Sequence, residues 1–429
     1  MCAAEWISTN VPPGAFNLSA TLNSGQAFRW IKTPESLEFA GVIGDRVWRL
    51  RQASADTPVA FHGSCATVAE LEMYRTRGQL PMPLVSYFRL DVRLDDLLSM
   101  WLNRDHLLRN FLSSCTQGIN SFKGLRLLNQ DPRETIFAFI TSANNNIPRI
   151  SKLLITLSAR YGRKMWSHET VSVYSFPTLE ALARPGIEVD LRKIGFGYRA
   201  KFIPAVARKL IEAGGDLFLA KLRVSSYEEC KAFLLNLPGI GNKVADCICL
   251  SSLDKVEVVP VDVHISRAAA LRGVRPPTAC SSSLSSTAYR CISHGLSDLW
   301  HPFAGWAQVV SRCEYHDACV LLLWCLSESF AFIDDANSFT VDLSLSSAYS
   351  IGLTSSFPST FTANPMGKAF YTLQHSCMIH DAVLMPNSRL SRTGRMSTKS
   401  KTKNGVADNR AAPSPSNIPV SRRKRAKHR

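Results

Sequence analysis

The sequence predicts an α+β fold in three parts: a mostly antiparallel β domain in residues 1–115, an all-α domain in residues 116–335, and a tail in residues 336–429. Short aromatic and β-branched runs separated by turn residues predict the first part. Apolar residues at helical spacing predict the second part. The third part is rich in Ser and Thr and then in Lys and Arg, so we expect it to be disordered.

In the N-terminal part, four runs have the composition of strands. Gly44 and Asp45 stand between two of them and predict a two-residue hairpin turn. The runs are residues 25–30, 39–43, 46–50 and 58–62.

In the all-α part, two helix starts carry capping signals. Asp131 is expected to cap a helix whose first residue is Pro132 and whose third is Glu134. Residues 225–228 (SSYE) predict a second start, followed by an apolar stripe.

The composition indicates a folded, soluble, intracellular protein. A hydrophobic content of 45% excludes global disorder. The first residues lack the charged and apolar regions of a secretory signal. The longest apolar run, residues 320–326, is far shorter than the ~18 residues of a membrane helix, so we expect no membrane partner.

The net charge of +16 is concentrated at the C-terminal end. Between Pro386 and Arg429 there are 13 Lys and Arg residues and one acidic residue, so this segment carries +12 of the +16. Residues 422–427 (RRKRAK) indicate localisation to the nucleus or non-specific contact with nucleic acid. A merely solvated terminus is the alternative.

The twelve cysteines show no metal-binding spacing. Cys247 and Cys249 fall inside an apolar helical pattern, and Cys313, Cys319 and Cys325 are six apart without a paired CxxC. We therefore expect no metal cluster and no cofactor.

The most informative stretch is residues 237–243 (LPGIGNK), between two helical patterns. Pro238 ends the first helix, and Gly239 with Gly241 allows a tight turn that presents N–H groups outward. Because the next helix begins at about Asn242, these donors and the positive helix end form a seat for a DNA phosphate. A plain helix–helix connection is the alternative.

Lys243 lies in the first turn of this second helix. A cation is unfavourable there by ~0.3–1 kcal/mol, whereas a neutral amine, the form that attacks carbon, is not. Nineteen residues later, the apolar run 259–261 delivers Asp262 just before the next helix. Asp262 can be an N-cap, a functional carboxylate, or both.

Residues 237–243 followed by 259–264 resemble the helix-hairpin-helix glycosylase superfamily, whose members with lysine at this position are lyases as well as glycosylases. The similarity to the eukaryotic 8-oxoguanine DNA glycosylase family extends over about residues 14–310. Five segments carry it, in that family's order: residues 24–30, 141–150, 195–200, 243–250 and 305–308.

The resemblance implies a bifunctional glycosylase/lyase of base-excision repair that acts on damaged double-stranded DNA as a monomer. It would flip and excise 8-oxoguanine opposite cytosine through a Schiff base. Lys243 would displace the base at C1′ and form an imine with the opened sugar. Asp262 would stabilise positive charge on the sugar and help to position Lys243.

For the base pocket, the resemblance assigns a backbone carbonyl at Gly25 to the N7 hydrogen that distinguishes 8-oxoguanine from guanine. Cys247 would form one wall, and Gln308 would read the Watson–Crick edge. His264 would contact DNA or support the pocket. Taken alone, Gly25 would be a turn glycine, Cys247 a buried structural thiol, and His264 a capping or core residue.

Four further residues would act on the opposite strand. Asn144, Arg149 and Arg199 would read the orphaned cytosine, and Tyr198 would wedge into the gap. In isolation, the two arginines would be surface charge.

The similarity breaks after Gln308. The family has a phenylalanine four positions later, where this chain has Arg312. Residues 311–329 are interpreted as an insertion, or as a wrongly predicted coding segment, that splits the helix. Phe332 is interpreted as the displaced stacking residue.

Two other functions are compatible with parts of this pattern. A non-enzymatic helix-hairpin-helix DNA-binding protein would use the hairpin only as a phosphate clamp, but it would need neither Lys243 nor Asp262. A glycosylase for a different lesion would keep both residues, and Gly25 with Gln308 argues against it.

Overall fold

The computed structural model describes residues 6–12, 14–33, 38–54, 56–63, 74, 76, 81–114, 123–168, 171–274 and 284–311, together with the backbone of residues 339–342 and 360–363. The chain divides into two units, residues 1–332 and 333–429. The predicted domain boundaries near 115 and 335 lie outside the described residues and stay predictions.

The N-terminal sheet has five antiparallel strands in the order β1-β5-β4-β3-β2. The strands are β1 (Ile7–Ser8), β2 (Ile31–Lys32), β3 (Glu38–Ile43), β4 (Arg46–Arg51) and β5 (Ala60–Gly63). Gly44 and Asp45 form the predicted two-residue turn, since Ile43 pairs with Arg46. The strand expected at residues 25–30 is wrong: Gly25, Gln26 and Phe28 are bends, and the other three residues have no regular secondary structure.

The helices of the first unit follow in chain order. They are α1 (Leu18–Asn23), α2 (Met82–Phe88), α3 (Leu94–Arg104), α4 (His106–Ser114), α5 (Pro132–Ser142), α6 (Ile147–Tyr161), α7 (Leu179–Ala183), α8 (Ile187–Ile194), a 3₁₀ turn (Gly197–Lys201), α9 (Phe202–Ala213), α10 (Gly215–Val224), α11 (Tyr227–Leu235), α12 (Asn242–Ser252), α13 (Val263–Leu271), α14 (Ser286–Leu299) and α15 (residues 304–311). The predicted α+β class is confirmed.

No helix in the described part of the chain is both long and apolar enough to cross a membrane.

Both predicted helix starts are present. The Asp131 carboxylate accepts a hydrogen bond from the backbone N–H of Glu134 at 2.9 Å, with Pro132 as the first residue of α5. Ser226 caps α11 in a reciprocal capping box with Glu229. These caps satisfy N–H groups that the first helical turn leaves unpaired.

The region expected to be all-α also contains a hairpin of β6 (Lys164–His168) and β7 (Val171–Tyr174). Val171 and Val173 are buried in one cluster with Ala40 of β3, so the hairpin extends the N-terminal layer. The prediction missed it because its burial depends on a sheet more than 100 residues earlier in the sequence.

Helices α3 and α4 pack in one core with α13, α14 and α15. Trp101, Trp300 and Trp306 are fully buried there. A Cβ at Gly305 would lie 2.3 Å from Leu250 Cδ1 and 2.6 Å from the Val258 carbonyl oxygen, so only glycine allows α15 to approach α12 this closely.

The second unit contains an antiparallel pair, β8 (Phe339–Asp342) and β9 (Thr360–Ala363). Both segments lie in the tail that the sequence predicts to be disordered.

A buried ion pair joins the N-terminal segment to the helices. The Arg29 side chain is 8% exposed; it pairs with Glu134 of α5 and donates to the Tyr174 carbonyl oxygen at 2.8 Å. Burial alone would lower the pKa of Arg29, but the charge and hydrogen bonds of Glu134 raise it above its ordinary value.

We expect Glu134→Gln to reduce the free energy of unfolding by ~3–5 kcal/mol, because it leaves a buried guanidinium without its carboxylate. The control Glu188→Gln breaks an exposed pair with Arg192, whose side chains are 42% and 51% exposed, and should cost only ~0.3–0.5 kcal/mol. Urea unfolding measures both, and equal losses would contradict the role of the Arg29 pair.

Candidate active site

The hairpin between α11 and α12 is anchored by the buried side chains of Leu237 and Ile240. Gly239 has a φ of +86°, and a Cβ there would lie 2.6 Å from the Phe202 ring, so the fold itself requires glycine. Gly241 is exposed and extended at the N-cap of α12, and a Cβ there would meet nothing within 4 Å. The fold therefore explains Gly239 but not Gly241.

Lys243 lies in the first turn of α12 and is half-buried. With the residues that the structure describes, its side chain forms no hydrogen bond or ion pair. The helix then enters the core, and residues 245–252 are all buried. Lys243 thus stands where a rigid helix reaches the surface, with its amine available to a ligand.

Asp262 caps α13, as one of its two predicted roles requires. Its carboxylate accepts a hydrogen bond from the backbone N–H of Ile265 at 3.0 Å, and the side chain is half-buried. This bond uses Oδ1, and a carboxylate has a second oxygen for other work. His264 is exposed in the first turn of the same helix, so the alternative of a core histidine is wrong.

Two predicted pocket residues lie on helices in direct contact. Cys247 on α12 and Gln308 on α15 are buried, at 8% and 5% exposure. The two helices make a close contact between Leu250 and Gly305. Cys247 lies one turn before Leu250 on α12, and Gln308 lies one turn after Gly305 on α15. Phe332, the predicted stacking residue, lies outside the described residues, as does Arg312.

Gly25 has a φ of +81°, and a Cβ there would lie 2.9 Å from Ile147 Cδ1 at the start of α6. The bend that it forms therefore favours glycine for its conformation, whereas Ile147 Cδ1 is the end of an exposed side chain that can move.

A glutamine that the sequence did not single out fixes this bend. The side chain of Gln26 donates to Ser24 Oγ and to the Arg126 carbonyl oxygen, both at 2.9 Å, and accepts from the Leu128 N–H at 3.0 Å. The backbone carbonyl oxygen of Gln26 accepts a hydrogen bond from the Gln130 side chain at 2.9 Å. The only sequence signal was a polar residue amid an apolar run, which does not reveal partners 100 or more residues away.

The same network reaches the helix of the lysine. The Gln130 N–H donates to the Ser251 carbonyl oxygen at 2.8 Å, near the end of α12. The bend with Gly25 and the helix with Lys243 are therefore held to one backbone segment, residues 126–130.

The four residues predicted to act on the opposite strand also cluster. Tyr198 is 47% exposed and its hydroxyl donates to the Ala143 carbonyl oxygen at 3.1 Å. Arg149 is exposed and donates to the Gly195 carbonyl oxygen at 3.2 Å. Asn144 is exposed with a φ of +49°, in the loop before α6.

Arg199 differs from this pattern because it is buried. Its guanidinium donates to the carbonyl oxygens of Ala143 and Asn144 and lies 4.5 Å from the Tyr198 ring centroid. In this conformation it holds the Asn144 loop in place, and reading a base would require it to exchange these bonds.

Among the described residues, no group of three or more His, Cys, Asp or Glu side chains could hold a metal ion. The groups that the described part of the site presents are the amine of Lys243, the carboxylate of Asp262 and the amide of Gln308.

Comparisons of sequence and of structure with known proteins each include 8-oxoguanine DNA glycosylases or N-glycosylase/DNA lyases. The family model "8-oxoguanine DNA glycosylase, N-terminal domain" matches residues 8–136. The chain is 29% identical over 334 residues to N-glycosylase/DNA lyase OGG1 of Arabidopsis thaliana, covering 77% of this chain and 86% of that protein. It is 35% identical over 269 residues to N-glycosylase/DNA lyase of Saccharomyces cerevisiae, covering 59% and 67%.

A solved structure shows the same fold. The apo form of Clostridium acetobutylicum 8-oxoguanine glycosylase/lyase matches with a TM-score of 0.55 and 26% identity, covering 69% of this chain and 92% of that one. The identity to the yeast relative and the share of it that is covered decide the assignment: the chain belongs to the 8-oxoguanine DNA glycosylase family.

Proposed function

We propose that this protein is a bifunctional DNA glycosylase/lyase that excises 8-oxoguanine opposite cytosine in duplex DNA. The observation that carries the proposal is the placement of Lys243 on the half-buried first turn of an otherwise buried helix, directly after the glycine hairpin. A phosphate clamp without catalysis would need the hairpin but no amine at this position. Membership of the family supports the substrate class.

In the proposed reaction, the lone pair of the neutral Lys243 Nζ forms a bond to C1′ of the damaged nucleotide. The C1′–N9 bond breaks, and its electron pair leaves on the base, which takes up a proton. The amine loses a proton as the C1′–O4′ bond opens and O4′ is protonated, leaving an imine between Nζ and C1′. Loss of a C2′ proton from the protonated imine expels the 3′ phosphate and cuts the strand.

Asp262 would stabilise the positive charge that develops on the sugar. A carboxylate in a partly buried site acts more strongly on such a charge than one in bulk water. Its bond to the Ile265 N–H fixes its orientation before the substrate binds, so little reorganisation accompanies the reaction.

Lesion discrimination would rest on the bend at Gly25. A backbone carbonyl there would accept a hydrogen bond from the N7 hydrogen of 8-oxoguanine and repel the N7 lone pair of guanine. Gln26 supports this role because its hydrogen bonds tie the residue after Gly25 to residues 126–130.

The basic C-terminal segment supports two further parts of the proposal. Its charge of +12 suits a protein that scans DNA through non-specific phosphate contacts, and its RRKRAK sequence suits a nuclear protein.

We expect Lys243→Gln to abolish covalent trapping by borohydride on 8-oxoguanine duplexes while retaining binding to them, because only the amine is lost. The matched control is Lys201→Gln, since Lys201 is exposed beside the Phe202 ring that contacts the hairpin. It should keep trapping. Undiminished trapping by Lys243→Gln would place the nucleophile elsewhere, and trapping only on other lesions would change the substrate.

We expect Gly241→Ala to weaken duplex binding at least tenfold while lowering stability by no more than ~1 kcal/mol, the cost of Ala at an N-cap. Nothing in the protein meets the added Cβ, so a binding loss would report the close approach of a phosphate. Gly239→Ala should lose both stability and binding. Fluorescence anisotropy and thermal unfolding measure these effects; unchanged binding by Gly241→Ala would argue against a phosphate at the hairpin.

Removal of residues 386–429 should weaken binding to undamaged DNA and reduce its salt dependence. The truncated protein neutralises fewer phosphates, so its binding releases fewer counterions from the DNA. The ratio of affinities for lesion and undamaged duplexes should change little, since base contacts set selectivity. Binding titrations at several salt concentrations test this. A large fall in selectivity would mean that the tail is part of the site.

A further inference from the structure

Beneath Lys243 lies a buried carboxylate that the proposed reaction does not use. Asp246 is one turn further along α12 and is completely buried. Its Oδ1 accepts from the Tyr227 hydroxyl at 2.8 Å, and its Oδ2 accepts from the Tyr289 hydroxyl at 2.7 Å. Lys231 completes the cluster at 3.0 Å from Oδ1.

The two hydroxyls act as donors to the carboxylate. Burial, together with the charge of Asp246, raises the pKa of both Tyr227 and Tyr289 above its ordinary value. Each tyrosine therefore keeps its proton, and Asp246 is satisfied at both oxygens, as a buried charge must be.

The two tyrosines differ in their second bond: the Tyr227 hydroxyl accepts from Lys231 Nζ at 2.6 Å, whereas Tyr289 bonds the segment before Asp262. The Tyr289 hydroxyl oxygen accepts from the Val261 N–H at 3.2 Å, and Val261 immediately precedes Asp262. Tyr289 itself lies on α14 and is 5% exposed. One hydroxyl thus joins the helix of Lys243 to the segment that ends in Asp262.

This bond belongs to a regular ladder. Tyr289, Ser293 and Ser297 of α14 bond the backbones of residues 261, 259 and 257 in turn, the two serines donating at 2.8 Å. Four helical residues rise ~6 Å and two extended residues ~6.6 Å, so the spacings match along the ladder. The register of the segment that carries Asp262 is therefore fixed by α14.

We infer that Tyr289 is a positioning residue that sets the separation between Lys243 and Asp262, acting through Asp246 on one side and the Val261 N–H on the other. The inference rests on the proposed function, since it concerns the geometry of that amine and carboxylate. Reacting groups displaced by about 1 Å can lose on the order of a hundredfold in rate. Tyr289→Phe removes both bonds without changing the ring.

The experiment measures single-turnover excision of 8-oxoguanine and duplex affinity for wild type, Tyr289→Phe and Tyr227→Phe. Each variant removes one hydroxyl that donates to Asp246, so a loss of stability caused by Asp246 should appear in both. Thermal unfolding measures that loss. We expect Tyr289→Phe to slow excision tenfold or more with affinity within twofold. Tyr227→Phe should stay within threefold, because the link from α12 to Val261 remains.

A double-mutant cycle with Asp262→Asn separates positioning from a general structural effect. If Tyr289 acts through the Lys243–Asp262 geometry, adding Tyr289→Phe to the Asp262→Asn variant should lower its excision rate little further. Independent effects would instead multiply the two losses in rate. Equal rates for the two tyrosine variants, or multiplicative losses in the cycle, would overturn the inference while wild type remains active. A wild type that neither excises 8-oxoguanine nor traps on it would overturn the proposed function, and this inference with it.

Discussion

Helix α12 is packed on every side, and the candidate site depends on this constraint. Residues 245–252 are buried without interruption, so the helix has no solvent-facing stripe beyond its first turn. Neighbouring helices must approach it closely, as α15 does at Gly305. A helix held in this way has little freedom to move, and its half-buried first turn carries Lys243. A nucleophile fixed by the core needs little reorganisation when a substrate arrives.

Buried polar side chains connect the elements around this helix through hydrogen bonds. Arg29 joins the N-terminal segment to α5 and β7, Gln26 joins it to residues 126–130, and Asp246 joins α12 to α11 and α14. Apolar contact is not directional, whereas each of these groups has fixed donor and acceptor positions that must be met. They therefore define the relative placement of elements more sharply than the surrounding core does.

Among the residues predicted to act on the opposite DNA strand, tertiary contacts give different environments to side chains of the same type. Arg149 and Arg199 were predicted to act alike, yet Arg149 is exposed and Arg199 is buried against the loop of Asn144. That loop has a left-handed residue, which is strained unless the surroundings hold it. The guanidinium of Arg199 supplies such a hold, and Tyr198 remains on the surface beside it.

The sequence by itself determined the features that depend on neighbours within a few residues. These include the cap at Asp131, the turn at Gly44 and Asp45, the glycine hairpin before Lys243 and the cap at Asp262, because local hydrogen bonds and backbone preferences decide them. Only the tertiary structure decided that residues 25–30 form no strand, that a β-hairpin follows α6, and that Gln26, Asp246 and Tyr289 stand behind the site. Apart from Ser24, which lies next to the bend of Gln26, the partners of these residues lie between 15 and more than 100 positions away in sequence. A buried polar side chain acquires its role from such distant partners more than from its neighbours along the chain.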